Sequence, residues 1–468
     1  MDGGQRHAGR ASKWAPPLLV AAAWLISTLA AHHLGLALQA DLGRSWQVLD
    51  LGALRDHLGQ SLWYQHSQPP LWNLLIGGLL RAGVDPGGAL VHAAFDAVGL
   101  AIALLTWRTA IGLGAGRWWA ALAACLLLAS PGFALTIHWL FYDAPVTLGI
   151  LALLLSLAAA ADRPTLPRLA ALTLTVAGLV WLRSVFHFAW LLGLLALVLA
   201  DRALPRRRLL GALAVALLLA TLPFVKNAAV FGTFSSSSWA GMSVQRLTKT
   251  MLSPAELQAE IAAGQLAPSS AVGPFQPLER YGPLPKVPAD LAAIAVLSAP
   301  HKATGETNFN HYGYLELSRQ MAGDAVRLAL RHPGAYLRAH AAAWLQWLRP
   351  TALDTNLGEG RKVLRPWVDV WDHLVLLDVG QVFVLLALGA LLALALLVDR
   401  LRPRTVAQLP APQRALWRAA AWTALWITLL GNAVEYGENY RFRAYIDPLL
   451  LATLAVAATQ LQSRLRRP

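Results

Sequence analysis

The sequence contains a single cysteine, Cys125, so it offers neither a disulfide framework nor a thiolate metal site. Charged residues are also scarce, at 14% of the chain, whereas hydrophobic residues make up 56%. This balance lies outside the range of soluble domains. The apolar runs reach the roughly 20 residues that a bilayer core requires, whereas barrel strands would be short and alternating. The composition therefore predicts an all-α polytopic membrane protein.

Acidic residues are fewer than basic ones, and the 39 Lys and Arg against 25 Asp and Glu give a net charge of +14. Such an excess can indicate nucleic-acid binding, but here the basic residues form short clusters between apolar runs, at residues 6–13, 202–208, 400–404 and 464–467. Lys and Arg concentrate in the cytoplasmic connections of membrane proteins. We therefore expect the lipid bilayer, and no nucleic acid, as a partner.

The basic clusters and apolar runs together predict about ten spans, at residues 16–38, 90–107, 118–130, 144–161, 169–182, 185–200, 209–225, 374–398, 417–434 and 444–461. Two shorter apolar segments, residues 69–82 and 333–348, are spans, re-entrant helices or interfacial helices, which gives a bundle of about 10–12 helices. The first span is longer than a signal-peptide core, so we expect it to remain uncleaved. Cleavage after Ala40 is the alternative.

Residues 231–332 are the one long break in hydrophobicity and are rich in Pro, Ser and Gly. Long connections in compact proteins are usually functional. We expect an N-terminal transmembrane module at residues 1–230, with a first outer loop at residues 39–68. An extracytoplasmic cap at residues 231–332 and C-terminal transmembrane helices at residues 333–468 follow. The basic clusters indicate that the loop and the cap face the periplasm or exterior of the plasma membrane.

Acidic residues lie at the predicted outer ends of spans. Asp41 and Asp50 follow the first span, and Asp143 opens another within the run HWLFYDAPV. Acids at a membrane boundary are costly to desolvate, so each needs water, a partner or a function. Solvation in the loop is the structural alternative for Asp41 and Asp50, and helix N-capping is the alternative for Asp143.

Further polar candidates share this predicted outer side: His66 and Gln68 in the run HSQPP, His138 and Tyr142 before Asp143, Arg183, Lys226, and Glu438, Arg441 and Arg443 in EYGENYRFRAYIDP. Arginine can hold a phosphate through a planar fork, and lysine can do so as a point charge. Snorkelling and internal ion pairs are the structural alternatives. His301 and His311 in the predicted cap lack a recognised zinc spacing such as His-Glu-x-x-His, and we expect neither a metal nor a cofactor.

The order of these features resembles polytopic glycosyltransferases of the GT-C class, especially the bacterial relatives of protein mannosyltransferases (glycosyltransferase family 39) and of the lipid A aminoarabinose and galacturonic acid transferases. In that class an acid after the first span precedes a helix start with proline, as Asp41 precedes Gln68 here. A second acid follows a proline-marked break, as Asp143 follows Pro131, and an arginine motif opens a late span. The resemblance covers most of residues 16–200 and the last two spans. The class often has adjacent acids, whereas Leu42 follows Asp41 here, which leaves Asp50 as a competitor.

The resemblance implies transfer of a sugar from a polyprenyl-phosphate donor to an envelope acceptor, which is a glycolipid, a polysaccharide or a protein. Asp41, or Asp50 in second place, would then be the general base of an inverting displacement. Asp143 and His138 would orient the sugar or acceptor, and His66, Gln68, Tyr142 and Glu438 would bind substrate. The cations that would stabilise the leaving phosphate are Arg183, Lys226, Arg441 and Arg443.

Two other functions remain open from the residues alone. A flippase or transporter of a lipid-linked sugar would also need phosphate-binding arginines, although no internal duplication is evident and the charges favour one face. A polymerase or ligase of surface polysaccharide would differ only in its acceptor. A scaffold for envelope enzymes is a further alternative, and the concentration of outward acids and arginines argues against it.

Overall fold

The computed structural model describes residues 3–283 and 286–466, with side chains from Trp14 onward. The remaining residues, including Arg467 and the side chains of residues 6–13, lie outside the described part, so two of the basic clusters are covered only in part. Helices account for most of the described chain, and the long ones are apolar. The prediction of an all-α polytopic membrane protein is therefore confirmed.

The N-terminal part of the chain is a series of helices joined by short connections. The helices are α1 (Gly3–His33), α2 (Leu51–Asp56), α3 (Leu58–Trp63), α4 (Leu71–Arg81), α5 (Ala89–Leu113), α6 (Arg117–Ala129), α7 (Pro131–Ile137), α8 (Asp143–Asp162), α9 (Leu166–Leu182), α10 (Phe188–Ala200) and α11 (Arg206–Phe231). Helix α11 ends at Gly232, whose φ of 65° is the left-handed conformation that glycine adopts at helix ends.

The region after α11 has shorter helices with irregular connections. They are α12 (Ala240–Thr248), α13 (Pro254–Ala262), α14 (Ser269–Val272), a 3-10 turn at Leu278–Tyr281, α15 (Ala295–Ser298), α16 (Gly313–Arg331) and α17 (Pro333–Trp347). Ser253 and Glu256 form a capping box that starts α13. A separate apolar cluster, which includes Trp239, Phe309 and Met321, gives this region its own core.

The C-terminal part begins with 3-10 turns at Thr351–Leu353 and Thr355–Leu357. It continues with α18 (Gly358–Val363), α19 (Arg365–Val370), a π-helical turn at Trp371–Val375, strands β1 (Asp378–Val379) and β2 (Val382–Phe383), α20 (Val384–Asp399), α21 (Pro403–Val406), α22 (Ala411–Val434) and α23 (Asn439–Leu465). The strands form an antiparallel hairpin in which Asp378 pairs with Phe383.

Five helices among the described residues are long and apolar enough to cross a membrane. They are Trp14–His33 within α1, α5, α8, α11 and α23, and the bent pair α6 and α7 makes a sixth if it is one span. The other apolar helices, α4, α9, α10 and α20, are shorter. By length and composition the chain therefore supports five or six spans, fewer than the about ten that hydropathy alone predicted.

The apolar helices pack around one apolar core and keep apolar residues on their outer surfaces. The core joins residues from α5, α8, α9, α11, α22 and α23, among them Ile150 and Ile446, both fully buried. On α11, Leu218 and Leu222 are exposed, and on α20, Leu385 and Leu388 are exposed. Apolar surface of this kind is stable in contact with lipid.

The basic connections lie together at one end of the bundle, which we call the basic end. Hydrogen bonds join its parts: Arg208 donates to the carbonyl of Pro164 over 3.4 Å, Arg414 to the carboxylate of Asp201 over 3.0 Å, and Trp417 to the carbonyl of Leu113 over 2.9 Å. The N-terminus of α8 and the C-terminus of α22 lie at the opposite end. The polar candidates are positioned there, at what we call the site end.

The bend between α6 and α7 brings the chain to the site end. The two helices differ in direction by 69° and meet at Ser130, which is extended, with φ of −72° and ψ of 122°. Ser130 precedes Pro131, and a residue before proline disfavours the helical conformation. After α7, residues Gln39 and Trp139 form an isolated parallel bridge, so the first outer loop and the segment before α8 lie side by side.

Candidate functional site

The centre of the site is a buried ion pair between the first residue of α8 and the start of α23. Arg441 binds both carboxylate oxygens of Asp143, with Nε 3.0 Å from Oδ2 and Nη2 3.1 Å from Oδ1. The hydroxyl of Tyr445 donates to Oδ1 of Asp143 over 2.8 Å. Asp143 also lies in the first turn of α8, where a helix dipole favours a negative charge.

Two more carboxylates surround the Arg441 guanidinium. Glu438 accepts a hydrogen bond from its Nη1, and Oδ2 of Asp354 lies 3.6 Å from its Nε. Burial raises the pKa of Asp354 to about 6, although Arg441 opposes that shift. Burial also acts to raise the pKa of Glu438, but Arg441 and Arg246 outweigh it, and the net pKa is lowered. Glu438 is therefore held as a carboxylate.

Arg246 on α12 links this cluster to the end of α22. Its Nη1 lies 3.1 Å from Oε1 of Glu435 and 3.6 Å from Oε1 of Glu438. Burial raises the pKa of Glu435 to about 7, against the opposing effect of Arg246. Asp143, Asp354, Glu435, Glu438, Arg246 and Arg441 together form what we call the acid network. Burial thus raises the pKa values of both Glu435 and Asp354 towards neutral pH.

A cavity of about 350 Å³ opens beside the acid network. Its polar lining includes Gln68, Arg183, His187, Ser235, Ser236, Ser237, Arg246, Glu435 and Glu438, and its aromatic lining includes Trp46, Trp239, Phe275, Trp426 and Phe442. A small number of polar groups among aromatic walls is typical of small-molecule sites. The cavity joins the first outer loop, the region after α11 and the ends of α9 and α22.

Arg183 follows the last residue of α9 and lines this cavity. Its guanidinium lies 4.8 Å from the centre of the Tyr142 ring and donates a hydrogen bond to the Tyr142 hydroxyl. Its Nε is buried and has no hydrogen-bond partner. A buried charged donor without a partner is costly, so the position favours an anionic ligand.

The HSQPP run forms part of the same wall through contacts with the region after α11. The amide side chain of Asn310 accepts hydrogen bonds from the backbone N–H of His66 over 2.8 Å and of Ser67 over 3.0 Å. Nδ1 of His66 lies 2.8 Å from the hydroxyl of Ser238. Burial lowers the pKa of His66 to about 3, and the positive charge of Lys226 adds to the effect. His66 is therefore neutral at physiological pH.

Asp41 and Asp50 lie away from the acid network. The side chain of Asp41 is 64% exposed, and its carboxylate lies 3.7 Å from Nε of Arg44. Asp50 caps α2, since Oδ1 accepts from the N–H of Ala53 over 3.0 Å and Oδ2 accepts from the N–H of Ala303 over 2.8 Å. Neither residue lines the cavity beside Arg183.

Arg443 and Lys226, like Arg441, are bonded to groups of the protein, and Arg441 does not line the cavity beside Arg183 either. Arg443 donates to the carbonyl of Trp347 over 2.8 Å and to Asp447 over 3.0 Å, so it joins α23 to the end of α17. Lys226 donates to the carbonyl of Gln65. Both contacts fit the structural alternatives, and neither residue lines the cavity beside Arg183.

The structure thus brings together Gln68, Tyr142, Asp143, Arg183, Glu438 and Arg441 from the predicted set, and it positions Asp41, Asp50, Lys226, His138 and Arg443 elsewhere. Arg246 and Asp354 join the site without having been named. No motif in the sequence surrounds either residue. Each becomes part of the site only because the fold brings it to the start of α23, where Arg246 pairs with Glu438 and Asp354 lies near Arg441. Asp354 caps the following 3-10 turn through Asn356, a local signal that says nothing about the site.

Comparison of the chain with protein-family models, with curated proteins and with solved structures finds no match. The resemblance to the GT-C class therefore stays a prediction based on short motifs. Function has to be argued from the chemistry of the cavity and the acid network.

Proposed function

We propose that the protein is a membrane glycosyltransferase that moves a sugar from a polyprenyl-phosphate donor to an envelope acceptor on the outer face of the plasma membrane. The observation that carries the proposal is that one cavity contains both an arginine with an unpartnered buried nitrogen and a carboxyl group with a pKa of about 7. The first suits a phosphate and the second suits an acceptor hydroxyl.

Arg183 binds the donor phosphate. As the bond between the sugar and the phosphate breaks, negative charge develops on the phosphate oxygen. A cation already in position stabilises that charge more than it stabilises the intact donor, which lowers the barrier. The guanidinium of Arg183 lines the cavity and would donate to this oxygen, while Tyr142 accepts one of its hydrogen bonds.

Glu435 is the general base. A base works best when its pKa is near the working pH, and Glu435 has a pKa of about 7. The acceptor hydroxyl forms the new bond to the anomeric carbon and gives its proton to the Glu435 carboxylate. The polyprenyl phosphate leaves with the electron pair of the broken bond. A single displacement of this kind inverts the anomeric carbon.

The acid network positions these two groups. Arg246 bonds Glu435, and Glu438 connects Arg246 to Arg441 and from there to Asp143. Every carboxylate of this chain of contacts, from Glu435 through Glu438 to Asp143, is bonded to Arg246 or Arg441, so the contacts fix the relative positions of these side chains. Asp143 and Arg441 therefore act as positioning residues in this proposal.

The walls of the cavity suit a sugar attached to a lipid. Trp46, Trp239 and Phe275 provide flat apolar surfaces, while Ser235 to Ser237 and Gln68 provide hydrogen-bonding groups. The polyprenyl tail stays in the bilayer, against the exposed apolar faces of the spans. Asp41 and Asp50, which the resemblance implies as the base, remain alternatives for an acceptor bound outside this cavity.

The test is a transfer assay with the full chain in lipid nanodiscs, a panel of radiolabelled polyprenyl-phosphate sugars and total envelope acceptors. We expect label on an acceptor with the wild type and a loss of about 10²–10⁴-fold with Glu435→Gln. Glu359→Gln is the matched control, because Glu359 is 81% exposed and pairs only with Lys362 at the surface.

Each outcome has a clear meaning. If the wild type transfers sugar and Glu435→Gln does so equally well, Glu435 is not the general base. Donor binding without transfer for every sugar in the panel favours the flippase or transporter. Absence of both binding and transfer contradicts the proposal.

A further inference from the structure

Three histidines and one aspartate converge beside the acid network, from parts of the chain that are far apart in sequence. His32 lies at the end of α1, His92 and Asp96 lie four residues apart on one face of α5, and His138 follows α7. One ligand atom from each of the four residues lies within 4.8 Å of all the others. None of these atoms belongs to the cavity beside Arg183.

The atoms that face one another in this cluster have no hydrogen-bond partners. Nε2 of His92, Nε2 of His138 and Oδ1 of Asp96 are all buried and unpartnered. The gap between Nε2 of His138 and Oδ1 of Asp96 is 3.6 Å, longer than a hydrogen bond, and His138 is only 3% exposed. Unpaired buried polar atoms are costly, so three of them facing one point indicate a missing ligand.

The histidine tautomer at the centre of the cluster suits a metal ion. Nδ1 of His138 lies 2.8 Å from the carbonyl oxygen of Ala134. A carbonyl only accepts hydrogen bonds, so Nδ1 carries the proton and Nε2 presents its lone pair. Metal-binding histidines usually donate their other ring N–H to a carbonyl or carboxylate in this way.

We propose that His32, His92, Asp96 and His138 bind a divalent transition-metal ion, with Zn²⁺ as the preferred occupant. Imidazole and carboxylate ligands suit zinc, and four of them complete its tetrahedral shell. With bonds of about 2.0–2.1 Å, a tetrahedral site needs ligand atoms about 3.4 Å apart. Nε2 of His32 lies 3.4 Å from Oδ2 of Asp96, Nε2 of His138 lies 3.6 Å from Oδ1, and no pair among the four ligand atoms is more than 4.8 Å apart, so side-chain movements of about 1 Å close the shell.

The cluster is accessible to an ion from one side. The side chain of His32 is 39% exposed, whereas that of His138 is 4% exposed. A metal ion can therefore reach the buried ligands past His32. The bound ion then fastens the end of α1 to α5 and to the segment that follows α7.

The segment that follows α7 also contacts the acid network, so an ion that holds this segment supports the network. The carbonyl of His138 accepts a hydrogen bond from the N–H of Gln39 over 2.7 Å. The next residue, Trp139, stacks on Phe141 with ring centres 4.1 Å apart, and the Arg441 guanidinium lies 5.2 Å from the Trp139 ring. The proposed ion thus holds one wall of the Arg441 site and takes no part in bond making or breaking.

The test measures metal binding directly and does not depend on any enzymatic activity. The full chain is purified in nanodiscs without a polyhistidine tag, stripped with a chelator and titrated with Co²⁺. We expect one equivalent to produce the visible absorption of tetrahedral cobalt, Zn²⁺ to displace it, and either ion to raise the thermal midpoint.

Variants assign the signal to the cluster. His92→Ala and Asp96→Asn should each weaken Co²⁺ binding by at least the about 10–100-fold that loss of even an outer partner costs. His33→Ala is the matched control, because His33 is exposed on the same helix and lies outside the cluster. Wild-type protein that binds no stoichiometric Co²⁺, or variants that bind it as the wild type does, would overturn the proposal.

Discussion

Arg441 donates two hydrogen bonds to the carboxylate of Asp143, although the two residues are 298 positions apart in the chain. Both side chains are almost fully buried, at 3% and 6% exposure. Two charges that pair at this depth hold α23 against α8 and position Glu438 for Arg246. The predictions below follow from this pair and from the cavity that it borders.

Arg441→Gln should destabilise the protein strongly. The change leaves Asp143, Glu438 and Asp354 as buried carboxylates without their shared cation, and breaking a buried pair typically costs about 3–5 kcal/mol. The measurement is the thermal unfolding midpoint in detergent. Lys362→Gln is the control, since it removes an exposed cation from Glu359 and should leave the midpoint nearly unchanged. Equal midpoints for the two variants would contradict a structural role for Arg441.

The rate of sugar transfer should rise with pH through about 7. Glu435 has a pKa of about 7, and a general base is active only when it is ionised. The measurement is the pH profile of kcat/KM in wild type and in Glu435→Asp. A profile that is flat between pH 6 and 8 would remove Glu435 from the role of base.

Acid should destabilise the fold in part through His66. Its pKa is about 3 in the folded protein, against 6.5 when unperturbed, so the unfolded chain takes up a proton that the folded chain excludes. The contribution is complete above pH 6.5 and is lost as the pH falls towards 3, at up to about 1.4 kcal/mol per pH unit. His66→Asn should flatten this dependence, whereas the exposed His57→Asn should not. Parallel curves for all three proteins would contradict the buried neutral state.

Arg183→Gln should weaken binding of a polyprenyl-phosphate sugar by about 10–100-fold, as expected for a hydrogen bond to a charged group of about 1.5–3 kcal/mol. Arg443→Gln should lower stability and leave donor affinity unchanged, because its nitrogens bond the end of α17. Arg207→Gln, at the exposed basic end, is the control for lost positive charge. A loss of affinity in Arg443→Gln comparable to that in Arg183→Gln would return Arg443 to the donor site.

Asp41→Asn tests whether the general base is Asp41, as the resemblance implies, or Glu435, as we propose. If Glu435 is the base, Asp41→Asn changes transfer only a few-fold, because the Asp41 carboxylate is exposed and lines no part of the cavity beside Arg183. Asp50→Ala should cost stability of about 0.5–2 kcal/mol through loss of the α2 cap. Transfer assays and thermal midpoints on both variants check these expectations. Abolished transfer in Asp41→Asn with donor binding intact would restore Asp41 as the base.

Hydropathy was enough to predict the fold class, because apolar runs in lipid have to be helical. Five or six helices are long and apolar enough to cross a membrane, fewer than the ten predicted spans, and the reasons are identifiable. Helix α10 covers only Phe188–Ala200, Pro131 follows directly on the third predicted run and begins the bent helix α7, and α22 carries Arg414 and Arg418. Local hydropathy does not show where a helix ends or which charge a distant residue will neutralise.

The site was predictable only in part. Asp143, Arg183, Glu438 and Arg441 stand out in the sequence because charges are rare near apolar runs. Their pairing, and the roles of Arg246 and Asp354, depend on contacts between distant segments. The histidine cluster shows the same limit, since only His92 and Asp96 are close in sequence, and two residues four positions apart on a helix face do not by themselves indicate a metal.

Helix α23 packs against α5, α6 and α8, all of which are synthesised several hundred residues earlier. Chains fold from the N-terminus during translation, so α8 reaches the membrane with Asp143 still lacking its cation. A carboxylate in that setting is costly to bury until α23 arrives. Completion of the site therefore waits for α23, and a chain that stalls before α23 retains an unneutralised acid in its membrane domain.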